Sequence, residues 1–226
     1  MMARTNRARA AARRLMTVST FLAAFAGICM VEVATTRPAQ AAPEPSPIPK
    51  RWQLDIATSA LQTAIVETPG GGSRAYFFMT YKVTNNSAHD LLFAPSFELA
   101  TDEGDLLRSG RDVSLEVTRE ILGRLDNPLI EDQISIVGTL LRGPENAKQG
   151  LVIWPITQDH LTEVAVYCAG FSGETATVDI PSPDDPKQVV KKLLRKSWMM
   201  RYRMPGDMKI TAGDRYDSNE SKWIMR

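Results

Sequence analysis

Two residues of this 226-residue chain have side chains suited to nucleophilic or redox catalysis, namely Cys168 and His160. An imidazole beside a thiol lowers the pKa of the thiol and activates it as a nucleophile. Cys168, however, ends the apolar run at 164–168, which is typical of a buried strand, and free cysteine is usually a core residue. We therefore predict a buried, inert Cys168 and a solvated His160, and no catalytic residue.

Acidic residues cluster at a second position, where Asp102, Glu103 and Asp105 flank a glycine. A calcium-binding loop needs carboxylates at alternate positions and a glutamate further along the chain, and this spacing is absent. The mixture of Asp and Gly is typical of a solvated turn. With two His and two Cys in the whole chain, we predict neither a metal site nor a cofactor.

Aromatic side chains can stack on a sugar ring, and the candidate ligand-binding residues of this type are Tyr76 and Phe78. They lie in a strongly predicted strand at 75–85, where they alternate with Phe77, Met79 and Tyr81. Alternation places the two groups on opposite faces of the strand, so Tyr76 and Phe78 are candidates for the exposed face. The alternative is that both are core residues, as aromatic residues in strands usually are.

Charge is strongly segregated along the chain. Residues 42–186 carry 10 basic and 21 acidic side chains, a net charge of −11, whereas residues 187–226 carry 11 and 4, a net charge of +7. Such a basic block attracts anions, and its candidates for binding an anion or a partner are Lys191, Lys192, Arg195 and Lys196. The alternative is a solvated strand that neutralises the acidic part of the domain. Nucleic acid is not an expected partner, because no recognition motif accompanies the charge.

Hydrophobic periodicity predicts many short strands and one helix. Val113, Val117, Ile121 and Leu125 recur every four residues, which predicts a helix over 112–125 with Asp112 as its N-cap. The predicted strands span residues 52–56, 61–67, 75–85, 91–93, 97–100, 134–137, 150–154, 163–168, 174–180, 197–204 and 223–225. The sequence at 170–173 lacks the last glycine of a hydrolase nucleophile elbow, and strand-like residues follow it, so a hairpin turn is predicted there.

These elements favour a mainly-β fold, namely an antiparallel immunoglobulin-like β-sandwich with one inserted helix at about residues 112–125. A jelly roll or a partly open barrel is the alternative. The sandwich is predicted to span residues 52–180. A basic C-terminal extension over 181–226 is predicted to pack on the same domain.

Residues 1–41 have the pattern of a signal peptide, with an N-terminal signal helix. Five arginines precede an apolar run at 15–31, and Ala39-Gln40-Ala41 matches the small-x-small pattern that signal peptidase recognises. A Pro-rich linker is predicted over 42–51. We therefore expect an exported protein of the periplasm or cell envelope, with no stable membrane span after cleavage. An uncleaved N-terminal anchor is the alternative.

Segments at 81–87 (YKVTNNS), 97–104 (FELATDEG) and 150–154 (GLVIW) carry a resemblance to known proteins. Together with segments 169–174 and 223–226, they resemble uncharacterised exported proteins of planctomycete-type bacteria. The immunoglobulin-like sandwich of those proteins is similar to telokin-like and Ig-like modules of bacterial lipoproteins. The resemblance implies a fold and an exported location, and it transfers no catalytic residue.

The expected function is therefore that of a non-catalytic interaction or structural module of the cell envelope. Its expected partner is an envelope protein or an anionic polymer. Two alternatives remain open from the sequence. One is a carbohydrate-binding module that uses exposed aromatic residues, and the other is a hydrolase or redox enzyme whose site is assembled only in three dimensions.

Overall fold

The structure is a computed structural model that describes residues 42–68, 72–158, 160–185, 188–205 and 211–226. The predicted signal sequence at 1–41 lies outside the described residues. In chain order the elements are β1 (Asp55–Thr58), β2 (Leu61–Thr68), β3 (Gly72–Thr84), β4 (Leu91–Phe93), β5 (Ser96–Thr101), β6 (Leu106–Arg108), α1 (Leu115–Leu125), β7 (Ile130–Glu131), β8 (Gly138–Leu140), a 3-10 helix (Pro144–Asn146), β9 (Lys148–Pro155), β10 (Glu163–Ala169), β11 (Thr175–Pro181), β12 (Val189–Arg203), β13 (Arg215–Tyr216) and β14 (Glu220–Met225).

The prediction of a mainly-β fold with one inserted helix is confirmed. The first sheet has the order β13-β2-β3-β9-β7, and β1 also pairs with β3. The second sheet has the order β11-β12-β10-β5-β6, and β14 also pairs with β12. A separate ribbon joins β4 to β8. Among the described strands only β7 and β9 pair in parallel.

The main core contains side chains of both sheets. Phe77, Met79 and Tyr81 of β3 belong to the same buried cluster as Val166 and Cys168 of β10. The opposite face of the first sheet packs against α1, in a second buried cluster. Burial of apolar surface on both faces explains why β3 and β9 are continuously apolar rather than alternating.

Helix α1 is shorter at its start than the apolar spacing predicts. It begins at Leu115, and the Ser114 hydroxyl caps it by accepting a hydrogen bond from the Val117 N–H at 3.4 Å. Asp112, the predicted N-cap, has a φ of 58°. An N-cap residue has an extended backbone, so Asp112 cannot fill this position. The predicted end at Leu125 is confirmed, and the left-handed Asp126 follows it.

The segment at 134–137 is a turn, so the strand predicted there is wrong. The Asp132 carboxylate accepts hydrogen bonds from the backbone N–H groups of Ile134 and Ser135 at 2.7 and 3.0 Å. Such a local side-chain bond competes with strand pairing and favours a turn. Ile136 is nevertheless buried in the main core, which accounts for the apolar pattern.

The hairpin predicted around 170–173 is also wrong, because β10 and β11 do not pair with each other and each pairs instead with β12. Gly170 has a φ of 90°, and a Cβ atom there would lie 2.7 Å from the Ala94 carbonyl oxygen. This close approach and the left-handed backbone require glycine. Phe171 then enters the main core, where its ring packs edge-on against Phe97.

The C-terminal segment forms a central part of the second sheet. Residues 198–203 of β12 pair with β10, residues 189–195 pair with β11, and residues 196–201 pair with β14 on the edge opposite β10. Strand β13 joins the first sheet through β2. The basic segment therefore completes the sheets rather than extending from them. No helix in the described part of the chain is long and apolar enough to cross a membrane.

Candidate anion-binding site

The strands of the second sheet bring several cationic side chains to its outer face. Successive residues of a strand point to opposite faces, so Val166 and Cys168 enter the core while Tyr167 and Ala169 face outwards. Pairing places Glu98 of β5 opposite Tyr167. A shallow cavity of about 290 Å³ lies on this face and is lined by Ser96, Glu98, Tyr167, Ala169, Lys192, Arg195, Ser197 and Arg226.

Arg226 is held across the middle of this cavity by two side chains. Its Nη1 donates a hydrogen bond to Glu98 Oε2 at 2.8 Å. Its guanidinium carbon lies 3.9 Å from the centre of the Tyr167 ring, which is a cation–π contact. Reciprocal backbone hydrogen bonds of 2.8 and 3.1 Å tie Arg226 to Arg195. The two arginines therefore have a fixed spacing.

The cavity has an excess of positive charge. Glu98 is the only acidic side chain among the described residues that line it, and it also forms an ion pair with Arg108 at 3.6 Å. Lys192 and Arg195 make no ion pair with any described residue. Three cationic side chains therefore face one acidic side chain that is already shared, and Lys192 and Arg195 remain available to an anion.

The structure separates the four basic candidates into three groups. Lys192 and Arg195 line the cavity together. Lys191 is exposed nearby and stands opposite Asp179 in the pairing of β11 with β12. Lys196 is only 2% exposed, so its assignment as a binding residue is wrong. Side-chain alternation along β12 turns Lys196 inwards, away from Arg195.

Lys196 instead closes a buried polar cluster. Its ammonium group donates to Glu174 Oε2 at 3.0 Å and to the Ser46 carbonyl oxygen at 2.9 Å. The other oxygen of Glu174 accepts from the Ser46 N–H at 2.8 Å. The Pro-rich segment predicted as a linker over 42–51 is therefore fastened to the domain at Ser46.

Tyr76 and Phe78 are core residues, as the alternative interpretation of the sequence proposed, and they are not candidates for a surface ligand site. Tyr76 is 2% exposed and Phe78 is 9% exposed, because Val117 and Ile121 of α1 pack over this face of the first sheet. Neither can stack on a sugar without displacement of the helix. Side-chain alternation correctly predicted which residues of β3 share a face, but one face packs in the main core and the other packs against α1.

Cys168 and His160 lie in different environments. The prediction that Cys168 is buried is confirmed, and this burial raises the pKa of its thiol well above the ordinary range. A thiol in this state is not a nucleophile at neutral pH. His160 is exposed, as predicted. Hydrogen bonds from Thr162 lower the pKa of Asp102, and Asp105 accepts from the Gln158 amide at 3.0 Å. No cluster of three potential metal-ligating side chains occurs in the described ranges.

The sequence alone did not single out Arg226, Tyr167 or Glu98 as parts of one site. They lie in three separate strands or strand ends, and only the pairing of β5, β10, β12 and β14 brings them together. The one available signal was the basic block itself, which predicted Lys192 and Arg195. The fold and this site define a mainly-β protein with a cationic cavity on one sheet. Comparison of this chain with family models, with curated proteins and with solved structures found no match.

Proposed function

We propose that this chain is an exported, non-catalytic module of the cell envelope that binds an anionic polymer at the outer face of its second sheet. The observation that carries the proposal is the cavity in which Lys192, Arg195 and Arg226 converge around the single carboxylate Glu98. The signal-like pattern at 1–41 supports the exported location.

The size and openness of the cavity favour one charged unit of a longer molecule over a fully enclosed small ligand. Its volume of about 290 Å³ is at the lower end of ligand sites. Lys191 extends the positive charge along β12 beyond the cavity, on an exposed stretch of the strand. A polymer that carries repeated sulfate, phosphate or carboxylate groups can contact both places at once, which increases its apparent affinity.

The test compares binding of dextran sulfate with binding of neutral dextran of the same length. We expect the purified protein to bind the sulfated polymer only, with an affinity that falls as sodium chloride is raised from about 50 to about 500 mM. The paired substitution Lys192→Glu and Arg195→Glu should weaken binding about tenfold or more, equal to about 1.4 kcal/mol.

The charge-matched control is Arg203→Glu combined with Arg215→Glu, two exposed arginines that do not line the cavity. This variant should bind dextran sulfate with an affinity within about threefold of the wild type, a difference of less than 1 kcal/mol. Equal loss in the control and in the paired variant would show that net charge, rather than the cavity, determines binding. Preferential binding to vesicles of phosphatidylglycerol would point to a lipid surface instead.

A second candidate function is binding of a neutral saccharide, and a different cavity favours it. Trp198 and Trp223 lie with their ring centres 5.3 Å apart and border a cavity of about 250 Å³ with Gln53 and Asp55. Indole rings beside carboxylate and amide groups match the needs of a sugar, which stacks and hydrogen-bonds. The rings are inclined at 63°, so they offer no flat two-ring platform.

The two functions are distinguished by neutral dextran. Saccharide binding predicts that neutral dextran quenches tryptophan fluorescence and that Trp223→Ala abolishes the quenching. Anion binding predicts no effect of neutral dextran and an unchanged affinity of Trp223→Ala for dextran sulfate.

A further inference from the structure

The outer face of the first sheet is apolar, and α1 packs on it in a buried cluster. The helix has 11 residues, which corresponds to a length of about 16 Å. Its buried residues Val117 and Ile121 pack on Tyr76 and Phe78. Leu151 and Ile153 of β9 belong to the same cluster, are 2% and 4% exposed, and form the floor of a cavity beside the start of the helix.

This cavity has a volume of about 320 Å³ and walls of different chemistry. Val113 and Leu115 line it from the start of α1, and Gln133 and Ile134 line it from the turn that follows β7. Leu115 is 56% exposed and Ile134 is 79% exposed, so the apolar surface continues from the floor to the rim. Large exposed apolar residues that border a concave apolar surface indicate a binding site.

The rim at Ile134 is held in place by the turn that precedes it. The Asp132 carboxylate accepts from the N–H groups of Ile134 and Ser135, and from the Ser135 hydroxyl at 2.7 Å. These three bonds occupy both carboxylate oxygens. The exposed apolar side chain of Ile134 therefore stands on an ordered turn rather than on a loose loop.

Gln133 supplies an amide that is positioned but unpaired. Its side chain packs directly against Gly110, where a Cβ atom would collide with the amide. Gly110 has a φ of 72°, and its N–H donates to the Ile153 carbonyl oxygen at 2.9 Å. The Gln133 amide forms no hydrogen bond with any described residue. It is thus free to bond a ligand in the cavity.

We propose that this cavity binds a small, uncharged, mainly apolar ligand with one hydrogen-bonding group that pairs with the Gln133 amide. No cation lines the cavity in the described residues, and its one charged lining residue, Asp132, would repel an anion. An apolar cavity of about 150 Å³ is known to accept benzene. The larger volume here suits a ligand of about two fused rings.

The test uses three probes of one shape, namely 2-naphthol, naphthalene and 2-naphthoate, and measures their binding to the whole chain by calorimetry. We expect saturable 1:1 binding of the two uncharged probes and binding of the anion at least about tenfold weaker. Gln133→Leu should lower the affinity for 2-naphthol about fivefold relative to the affinity for naphthalene, because only 2-naphthol loses a hydrogen bond.

Thr118→Phe places a large ring on the wall of the cavity and should weaken both uncharged probes about tenfold or more. The matched control is Thr177→Phe, at an exposed position of β11 outside the cavity, which should leave both affinities unchanged.

If Thr118→Phe does not fold, Leu115→Glu at the exposed rim serves the same purpose. Absence of saturable binding would overturn the proposal. Unchanged binding of the uncharged probes by the folded cavity variant would also overturn it. So would a ratio of the affinities for 2-naphthol and naphthalene that is the same in Gln133→Leu as in the wild type.

Discussion

At the scale of single residues, the buried cluster of Lys196, Glu174 and Ser46 leads to two predictions about the stability of the fold. Lys196 is 2% exposed, and both of its acceptors lie within 3.0 Å. A charge buried this deeply is stable only when its partners are present. The cluster therefore stabilises the second sheet and fastens the segment around Ser46 to it.

Lys196→Met should lower the free energy of unfolding by about 3 kcal/mol or more, because it leaves the Glu174 carboxylate without its cation. Urea denaturation measures this change. The control is Lys222→Met, which breaks an ion pair with Glu220 whose lysine is 56% exposed and should cost less than about 1 kcal/mol. Equal effects of the two substitutions would contradict a structural role for the buried pair.

The same cluster should make stability depend on pH. The Ser46 N–H, and secondly Lys196, hold the pKa of Glu174 below its ordinary value. A carboxyl with a lower pKa in the folded protein stabilises the fold above its unfolded pKa of about 4.3. This contribution is lost as the pH falls through the folded pKa. Unfolding at a series of pH values should show a weaker acid dependence for Glu174→Gln. An unchanged pH profile would argue against this linkage.

At the scale of elements, α1 decides which residues of the first sheet are available to a ligand. Val117 and Ile121 are fully buried, and they cover Tyr76 and Phe78. The helix thereby removes two predicted ligand-binding residues from the surface. Its first turn also borders the cavity, which Leu115 and Thr118 line together with Leu151 and Ile153.

Ile121→Ala should lower the free energy of unfolding by about 2–4 kcal/mol, through lost burial and the cavity that remains. The control is Glu120→Ala on the exposed side of the same helix. It removes only a solvent-exposed ion pair with Arg124 and should change stability by about 0.5 kcal/mol or less. If Ile121→Ala were as mild as the control, α1 would not be packed on the sheet as described.

At the scale of the whole molecule, the core between the sheets is built from apolar side chains. Strand β12 shares this core with β3 and β10, so the N-terminal and C-terminal halves of the described chain form one cooperative structure. Cys168 lies within the core. A thiol in this position can reach neither another cysteine nor a metal without unfolding.

The melting temperature should therefore be insensitive to a chelator and to a reductant. We expect changes of less than about 2 °C, equal to less than about 1 kcal/mol, when EDTA or dithiothreitol is added to the purified chain. Differential scanning calorimetry measures this. A fall of more than about 10 °C with either reagent would reveal a metal or disulfide that stabilises the fold.

Local patterns determined the class of fold, most strands and the single helix, because alternation and the spacing of apolar residues act within a segment. They also identified the basic block and the burial of Cys168. The wrong predictions have a different origin. The strand at 134–137 was overridden by hydrogen bonds to Asp132, and the hairpin at 170–173 by the pairing of both β10 and β11 with β12.

The candidate site likewise depends partly on local sequence and partly on contacts between distant segments. The sequence determined that Lys192, Arg195 and Lys196 are cationic, and side-chain alternation along β12 places Lys192 and Lys196 on the face opposite Arg195. Only the tertiary structure decided that Lys192 nevertheless borders the cavity with Arg195, whereas Lys196 is buried. It alone decided that Arg226 and Tyr167 join Lys192 and Arg195 and that Glu98 is the shared carboxylate, because strands distant in sequence pair side by side. The tertiary structure also decided that Tyr76 and Phe78 lie beneath a helix. Which face of a strand is covered depends on what packs against it, and this information lies outside the strand.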